Sequence, residues 1–332
     1  MQKVINVIAL LSGLTSAALI GGAGYLLMNK DTMIEEAREN VANAAVEAAT
    51  NALPGMLDSA MPELPEVETI VRGLDQELRG ETIDSLEIFR SDPIIQGDPE
   101  SFSEFLCGRK IKAVQRRAKF LLFHFEPVGG MVVHLRMTGK FTLTETKEPP
   151  GPHERIWFQL KSGRLLIYSD LRCFGTLECH ESLDAWEDSK KLGPEPFSQD
   201  FNAKSLRKRL RESQREVKPL LLDQGLLAGL GNIYASEVLF RCGINPCRKG
   251  KRVKLREWEK LVDETRSVLN EAIEKNGTSI SDFRRVDEKT GEFQNFLRVY
   301  EREGKPCVSC GMPVQRIVQQ QRSSYFCPGC QV

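Results

Sequence analysis

Two Cys-x-x-Cys pairs near the C-terminal end constrain this chain more than any other feature. Cys307-Val308-Ser309-Cys310 and Cys327-Pro328-Gly329-Cys330 are separated by sixteen residues. Four thiolates at this spacing form a closed tetrahedral site for one zinc ion. A site with four protein ligands has no open coordination position, so this zinc is structural. The residues between the pairs, among them Arg316, Gln321, Arg322, Ser323 and Ser324, are expected to form a β-hairpin that the metal keeps rigid enough to enter a groove. The other five cysteines (Cys107, Cys173, Cys179, Cys242 and Cys247) are scattered. An odd total with this spacing points to a metal site in a reducing compartment rather than a disulfide framework.

A length of 332 residues fits two or three domains. The formal net charge is zero, which excludes a uniformly basic or acidic chain, but the charges are unevenly placed. Residues 1–60 carry three basic and six acidic side chains, so the rest has a small basic excess. Within that rest, Lys204, Arg207, Lys208, Arg209, Arg211, Arg215 and Lys218 form one basic block. Arg248, Lys249, Lys251, Arg252, Lys254 and Arg256 form another. Such blocks are commonly solvated faces; here they are also candidate nucleic-acid surfaces.

The first 60 residues differ in kind. Val4 to Met28 is about 25 residues of apolar character flanked by Lys3 and Lys30. That is long enough for a membrane-spanning helix, and so for membrane association. A signal sequence and a buried helix are the other two readings. Residues 31–52, rich in Ala and acidic side chains, read as a stalk, broken at Leu53-Pro54-Gly55.

At Met61-Pro62-Glu63-Leu64-Pro65-Glu66 the pattern changes. Val67, Ile70, Val71, Leu74 and Leu78 fall on one helical face, with Pro65 in the first turn and Gly80 just past the end. If a chain began at Met61, loss of that methionine would expose Pro62 as a secondary amine, able to attack the sugar carbon of a damaged nucleoside. Glu63 could then move protons, and the helix N-terminus would favour its ionised form. With Met61 bonded ahead of it, the Pro62 nitrogen is an amide.

Residues 81–178 show short apolar runs between turn signals, a β-sandwich or barrel pattern: Thr82–Phe89, Lys119–Phe125, Met131–Leu135, Ile156–Leu160 and Arg164–Tyr168. Gln115–Leu122 places a basic cluster at the start of one strand. His134–Gly139 and Asp170–Gly175 end others in turns. Residues 201–276 read as helical. Within them, two glycines in Gly229-Leu230-Gly231-Asn232 should expose backbone N–H groups able to hold a phosphate at a helix start. Residues 277–306 read as a loop that orders on substrate.

MPELPEVET, QRRAKFLL, HLRMTG, DLRCFG, GPEP, LLAGLGNIYASE and the paired Cys-x-x-Cys ending occur in this order. Together they resemble the formamidopyrimidine-DNA glycosylases over residues 61–331; the sibling endonuclease VIII family shares the layout, but PELPE fits the first better. Nothing in residues 1–60 resembles that family. The resemblance implies an α+β multidomain fold. Residues 61–190 would form a β-sandwich with a leading helix, 191–290 a helix–two-turns–helix domain, and 291–332 the zinc hairpin. An extra hydrophobic helix would precede them in 1–60. Activity would be excision of oxidised purines from double-stranded DNA, followed by nicking at the abasic site, by a cytoplasmic, nucleoid-associated monomer.

Roles carry over by position. Pro62 matches the nucleophile, Glu63 the catalytic carboxylate and Glu66 a supporting one. Lys119 and Arg322 match catalytic groups near the phosphates. Asn232, His134 and Lys218 match phosphate contacts, and His153 a DNA contact. Met137, Arg172 and Phe174 match the side chains that fill the space left by an extruded base. Three positions depart from the family pattern: Cys173 stands where an arginine is common, Gln214 where a lysine is common, with Arg215 placed to make that phosphate contact instead, and the Pro62 nitrogen is blocked as an amide. Three readings of the leader follow: an active glycosylase made from Met61, a membrane-tethered DNA-binding protein without lyase chemistry, or an unrelated segment joined to the enzyme.

Structural zinc of this kind contributes on the order of 10 kcal/mol to folding its module. Cys327→Ser should therefore release the metal and abolish DNA affinity while the β-sandwich stays folded. Metal analysis, fluorescence anisotropy with labelled duplex and near-UV circular dichroism check this; DNA binding by the zinc-free protein is the contrary result.

Overall fold

The computed structural model describes residues 61–95, 97–278 and 291–332. The hydrophobic helix, membrane segment and stalk expected in 1–60 lie outside the described residues, as does the centre of the loop expected over 277–306. No helix among the described residues is long and apolar enough to cross a membrane. All of them belong to one compact unit, 54–332.

The first element among the described residues is α1 (Leu64–Leu78). Its apolar stripe of Val67, Ile70, Val71, Leu74 and Leu78 is buried as its periodicity requires, and Gly80 ends it with φ of +88°. Among the described residues ten strands follow, eight of them in two antiparallel four-stranded sheets. One runs β1 (Ile83–Ile88), β6 (Glu154–Leu160), β7 (Leu165–Asp170), β5 (Gly139–Thr144). The other runs β2 (Lys110–Arg117), β3 (Phe120–Glu126), β4 (Gly130–His134), β8 (Thr176–His180). Their inner faces and the α1 stripe share one core that includes Phe123, Phe141, Phe158 and Tyr168, so the β-sandwich expected for residues 81–178 is present. Three strands, β2, β5 and β8, escape the apolar-run reading because polar residues interrupt each (KIKAVQRR, GKFTLT and TLECH). The basic cluster does not start a strand: Arg116 and Arg117 end β2, and Ala118-Lys119 is the turn into β3.

Two short helices flank the sandwich, α2 (Pro99–Leu106) and α3 (Leu183–Lys190). A linker through Gly193 and Glu195 then leads to α4 (Ala203–Leu210), α5 (Val217–Leu221), α6 (Asn232–Cys242) and α7 (Leu255–Glu274). The turn between α5 and α6 is stapled by Gln224. Its side chain donates to the carbonyls of Leu222 and Leu230 at 3.1 and 2.8 Å and accepts from the Gly229 N–H at 2.8 Å. Trp258, Tyr234 and Phe293 fill the helical core. The chain ends in the hairpin β9 (Gln315–Gln319) and β10 (Arg322–Phe326). Gln320 and Gln321 both have positive φ, as a two-residue hairpin turn requires. Tyr325 and Cys327 carry this hairpin into the helical core.

One helix joins the two cores. Leu64, the first residue of α1, packs among the helices, while the rest of its stripe packs in the sandwich. Leu64 is fully buried, and its N–H donates to the Gly229 carbonyl at 3.1 Å. Leu64→Ala should cost about 2–5 kcal/mol, read by calorimetry as a lower Tm. An unchanged Tm would show that α1 does not tie the cores together.

Candidate active site at the start of the first helix

Glu63, the residue before α1, is buried. Its backbone N–H donates to Glu66 Oε2 at 3.0 Å, holding the helix start. Its own carboxylate reaches across to another helix. Oε1 accepts from the Ile233 N–H at 2.8 Å and Oε2 from the Tyr234 N–H at 3.4 Å, so Glu63 caps the N-terminus of α6. The backbone amides expected to await a phosphate are therefore occupied by a side chain of the protein. The glycines serve that approach. A Cβ on Gly231 would lie 2.4 Å from Glu63 Oε1 and 2.6 Å from Lys119 Nζ, and one on Gly229 would lie 2.7 Å from Leu64 Cδ1.

Burial pushes the Glu63 carboxyl up from 4.5 to about 7, aided by the neighbouring Glu66 and opposed by Lys119 and the two backbone N–H groups. The expectation that the helix start would favour an ionised Glu63 is thus reversed, because desolvation outweighs the dipoles. Glu66 is held in turn by the Tyr234 hydroxyl at 2.6 Å and by the Thr278 N–H and hydroxyl at 2.8 and 3.1 Å. Pro62 is buried beside Glu63.

Lys119 is half-buried in the β2–β3 turn. His134, at the end of β4, is buried, and desolvation with Arg136 and Lys119 nearby lowers its pKa to about 3. It is neutral, and its Nδ1 accepts the Arg136 N–H at 3.0 Å, which leaves the proton on Nε2.

On the helical side, Asn232 opens α6. Its Oδ1 accepts from Lys218 Nζ at 2.6 Å, and its Nδ2 donates to the Ser323 carbonyl at 2.9 Å. Lys218 Nζ also donates to the Ser323 carbonyl at 2.7 Å and to Ser324 Oγ at 2.9 Å. Lys218 is about as buried as any core residue, so it fastens α5, α6 and the hairpin from beneath rather than standing at the surface. Above it a cleft of about 280 Å³ is lined by Arg215, Lys218, Asp223, Gln319 and Arg322. Arg322 is exposed directly after the hairpin turn, and Arg215 is exposed and paired with Asp223 at 3.0 Å.

The four cysteine Sγ atoms lie within 4.8 Å of one another, with Cys307–Cys330 at 3.9 Å and Cys310–Cys327 at 3.3 Å. Ligands about 2.3 Å from a tetrahedral zinc fit this cluster, and four thiols leave no open coordination position, so the residues suit one structural zinc.

Met137, Arg172 and Phe174 lie on two loops at the same end of the sandwich. Phe174 is half exposed, with the Arg172 guanidinium 4.9 Å from its ring centre, whereas Met137 is buried. Asp170, which the sequence reading left without a role, joins the loops. Fully buried, it accepts from the Thr138 hydroxyl, from the Arg172 N–H at 3.1 Å and from the Gly175 N–H at 2.8 Å. Its place at the head of the DLRCFG motif was the available signal. His153 is exposed, and its carbonyl accepts the Asp170 N–H at 2.9 Å. Glu237 was also missed; buried in α6, it accepts the N–H groups of Arg298, Val299 and Tyr300 at 2.9–3.0 Å and so ties the approach to the zinc hairpin onto that helix.

Sequence profiles match most of the chain. That of the formamidopyrimidine-DNA glycosylase N-terminal domain matches residues 61–177, that of the H2TH domain of the same enzymes 192–284, and that of a zinc finger found in FPG and IleRS 304–332. A formamidopyrimidine-DNA glycosylase of Streptococcus pneumoniae is 40% identical over 273 residues, 82% of this chain and 99% of that protein. One from Pelotomaculum thermopropionicum is 41% identical over 273 residues, with the same shares. Among solved structures, Lactococcus lactis Fpg bound to DNA with an abasic site aligns with TM-score 0.76 and 37% identity, covering 82% of this chain and 100% of that one. The same protein with Fapy-dG DNA aligns with TM-score 0.75 and 37% identity, covering 81% and 99%.

The raised Glu63 pKa makes stability pH-dependent. Between 4.5 and about 7 the folded chain holds a proton that the unfolded chain has lost, so this group's contribution falls as pH rises through that window. His134, lowered to about 3, contributes in the opposite sense below its unfolded value of 6.5. Glu63→Gln removes only the first effect. The variant's Tm relative to the parent should therefore rise steadily from acid to neutral pH in thermal scans of the full chain; a constant difference would mean that folding leaves the Glu63 pKa unshifted.

Proposed function

Because the chain belongs to the formamidopyrimidine-DNA glycosylase family, we propose that it excises oxidised purines, 8-oxoguanine and formamidopyrimidines, from duplex DNA and cuts the strand at the abasic site that results. The observation that carries this reading is the buried Glu63 at the common start of α1 and α6, next to Pro62 and Lys119.

Once Pro62 is the N-terminal residue, its secondary amine attacks the sugar C1′. The bond from C1′ to the base breaks, and the base leaves with a proton. Glu63, poised near pH 7, gives a proton to the sugar ring oxygen as the ring opens. The resulting iminium withdraws electrons, so loss of a C2′ proton expels the 3′ phosphate and a second elimination expels the 5′ phosphate. Water then releases Pro62. Lys119 and Arg322 balance phosphate charge. His134 offers its Nε2–H as a neutral donor. Asn232 and Arg215 hold flanking phosphates, and the buried Lys218 supports Asn232 and lends its charge from below. His153 meets the DNA at the loop end. Phe174 and Arg172 enter the vacated stack, and Met137 follows by leaving its buried position. Cys307, Cys310, Cys327 and Cys330 hold one zinc, which keeps the Arg322 turn rigid. Substrate of this kind places the protein with the nucleoid, in the cytoplasm.

A second reading is favoured by one fact of the chain: Met61 is bonded to Pro62. While that bond remains, the nitrogen has no available lone pair, and the protein binds DNA without forming an imine. Attachment to a membrane through residues 4–28 would belong to this form.

Borohydride should trap a covalent complex with abasic-site duplex only for protein beginning at Pro62. A free α-amino group has a pKa of about 7.7–8, so a substantial share is neutral at physiological pH. The comparison sets the full chain against the 62–332 form, both zinc-loaded and of verified mass. Efficient trapping by the intact full chain would assign the nucleophile to another amine, Lys119 first.

A further inference from the structure

The turn that carries Lys119 is held from outside the sandwich. Ala118 has φ of +54°, a left-handed conformation that a residue with a side chain adopts at a cost. Its N–H donates to Glu195 Oε1 at 2.7 Å. The same oxygen accepts from Arg117 Nη1 at 2.9 Å, and Oε2 pairs with Arg116 Nη1 at 2.7 Å. Glu195 thus grips three successive residues immediately before Lys119. Arg116 is fixed on its other side by Glu68 of α1 at 2.8 Å, and Arg117 by Glu187 of α3.

The far end of this grip lies among the helices. Two residues before Glu195, the Gly193 carbonyl accepts from Arg117 Nη2 at 2.9 Å, while the Gly193 N–H donates to the Gln224 carbonyl at 2.8 Å. A Cβ on Gly193 would lie 2.7–2.9 Å from the backbone of residues 225–227. The linker is therefore wedged into the α5–α6 turn, the turn that leads into the α6 start capped by Glu63. From Gln224 through Gly193, Glu195 and Ala118 to Lys119 the contacts are continuous.

We propose that Glu195 is a positioning residue: it couples the α5–α6 turn to the β2–β3 turn and so keeps the Lys119 ammonium against the Glu63 carboxylate. It touches neither substrate nor the reacting atoms. The proposal rests on the roles given above to Glu63 and Lys119. It predicts that loss of the Glu195 charge acts on the reaction through Lys119 alone.

The charged and titratable groups around Glu63 are Glu66 on α1, Lys119 in the β2–β3 turn, Tyr234 on α6 and, in the chain that begins at Pro62, the adjoining Pro62 amine. Those around Glu195 are Arg116 and Arg117, with Glu68 and Glu187 beyond them. If Lys119 withdraws, Glu63 loses the side-chain cation that opposes its raised pKa, and its titration should move alkaline by on the order of one pH unit.

The test is single-turnover cleavage of an abasic-site duplex across neutral pH by the zinc-loaded chain beginning at Pro62. Both cores lie within that length. Glu195→Gln should shift the midpoint of the Glu63-dependent limb alkaline, Lys119→Met should shift it equally, and the double variant should shift it no further. Glu195→Asp, which keeps the charge, should stay closer to the parent midpoint than Glu195→Gln. A Glu195→Gln protein with a lower rate or Tm but an unmoved midpoint, or additive shifts in the double variant, would overturn the proposal. If Glu195→Gln does not fold, the Asp variant decides: a midpoint displaced as far as that of Lys119→Met overturns it, and one near the parent supports it. Failure of the parent itself to cleave would instead refute the function proposed above.

Discussion

The capping of α6 by Glu63 is the interaction on which the rest depends. A carboxylate at the start of one helix satisfies two orphan N–H groups at the start of another. To do so, α1 must lie against the α5–α6 turn, which requires bare backbone at Gly229 and Gly231. Leu64, on the next residue, then falls into the helical core while the remaining stripe of α1 faces the sandwich. One short stretch thereby sets how the β-sheets and the helices meet.

The same burial sets the chemistry. In water a helix start would keep a carboxylate ionised. In this dry junction, desolvation and the adjacent Glu66 outweigh two backbone N–H groups and Lys119, and the balance sits at about 7. A group balanced there can give or take a proton at neutral pH. Lys119 is the cation among the described residues that opposes this shift, and the turn that carries it is tied through Glu195 and Gly193 to the α5–α6 turn.

The zinc hairpin uses a different support. The metal fixes the knuckles, but the orientation of the Arg322 turn comes from Lys218, whose ammonium joins Asn232 to Ser323 and Ser324. A buried ammonium with three acceptors is stable where an unpaired one would not be. Lys218 therefore acts on the cleft from below, while Arg215 and Arg322 face it.

Local chemistry made much of this legible in the sequence. Cysteine spacing specified a four-thiolate cluster, the 3.6-residue stripe specified α1, and the apolar runs of β1, β3, β4, β6 and β7 specified a layered β-structure. Ordered motifs specified the family, because each depends on residue types at fixed short spacing. What the sequence could not decide were quantities set by burial and by contacts distant along the chain. The polar strands β2, β5 and β8 are fixed by their partners. The occupant of the α6 start is Glu63, some 170 residues earlier. The direction of the Glu63 shift depends on how much water is excluded. Asp170 and Glu195 look like ordinary acidic residues until the fold brings loops and linker onto them. Spacing along a chain reports what neighbours in sequence can do, but desolvation and convergence exist only once the two cores have closed around α1.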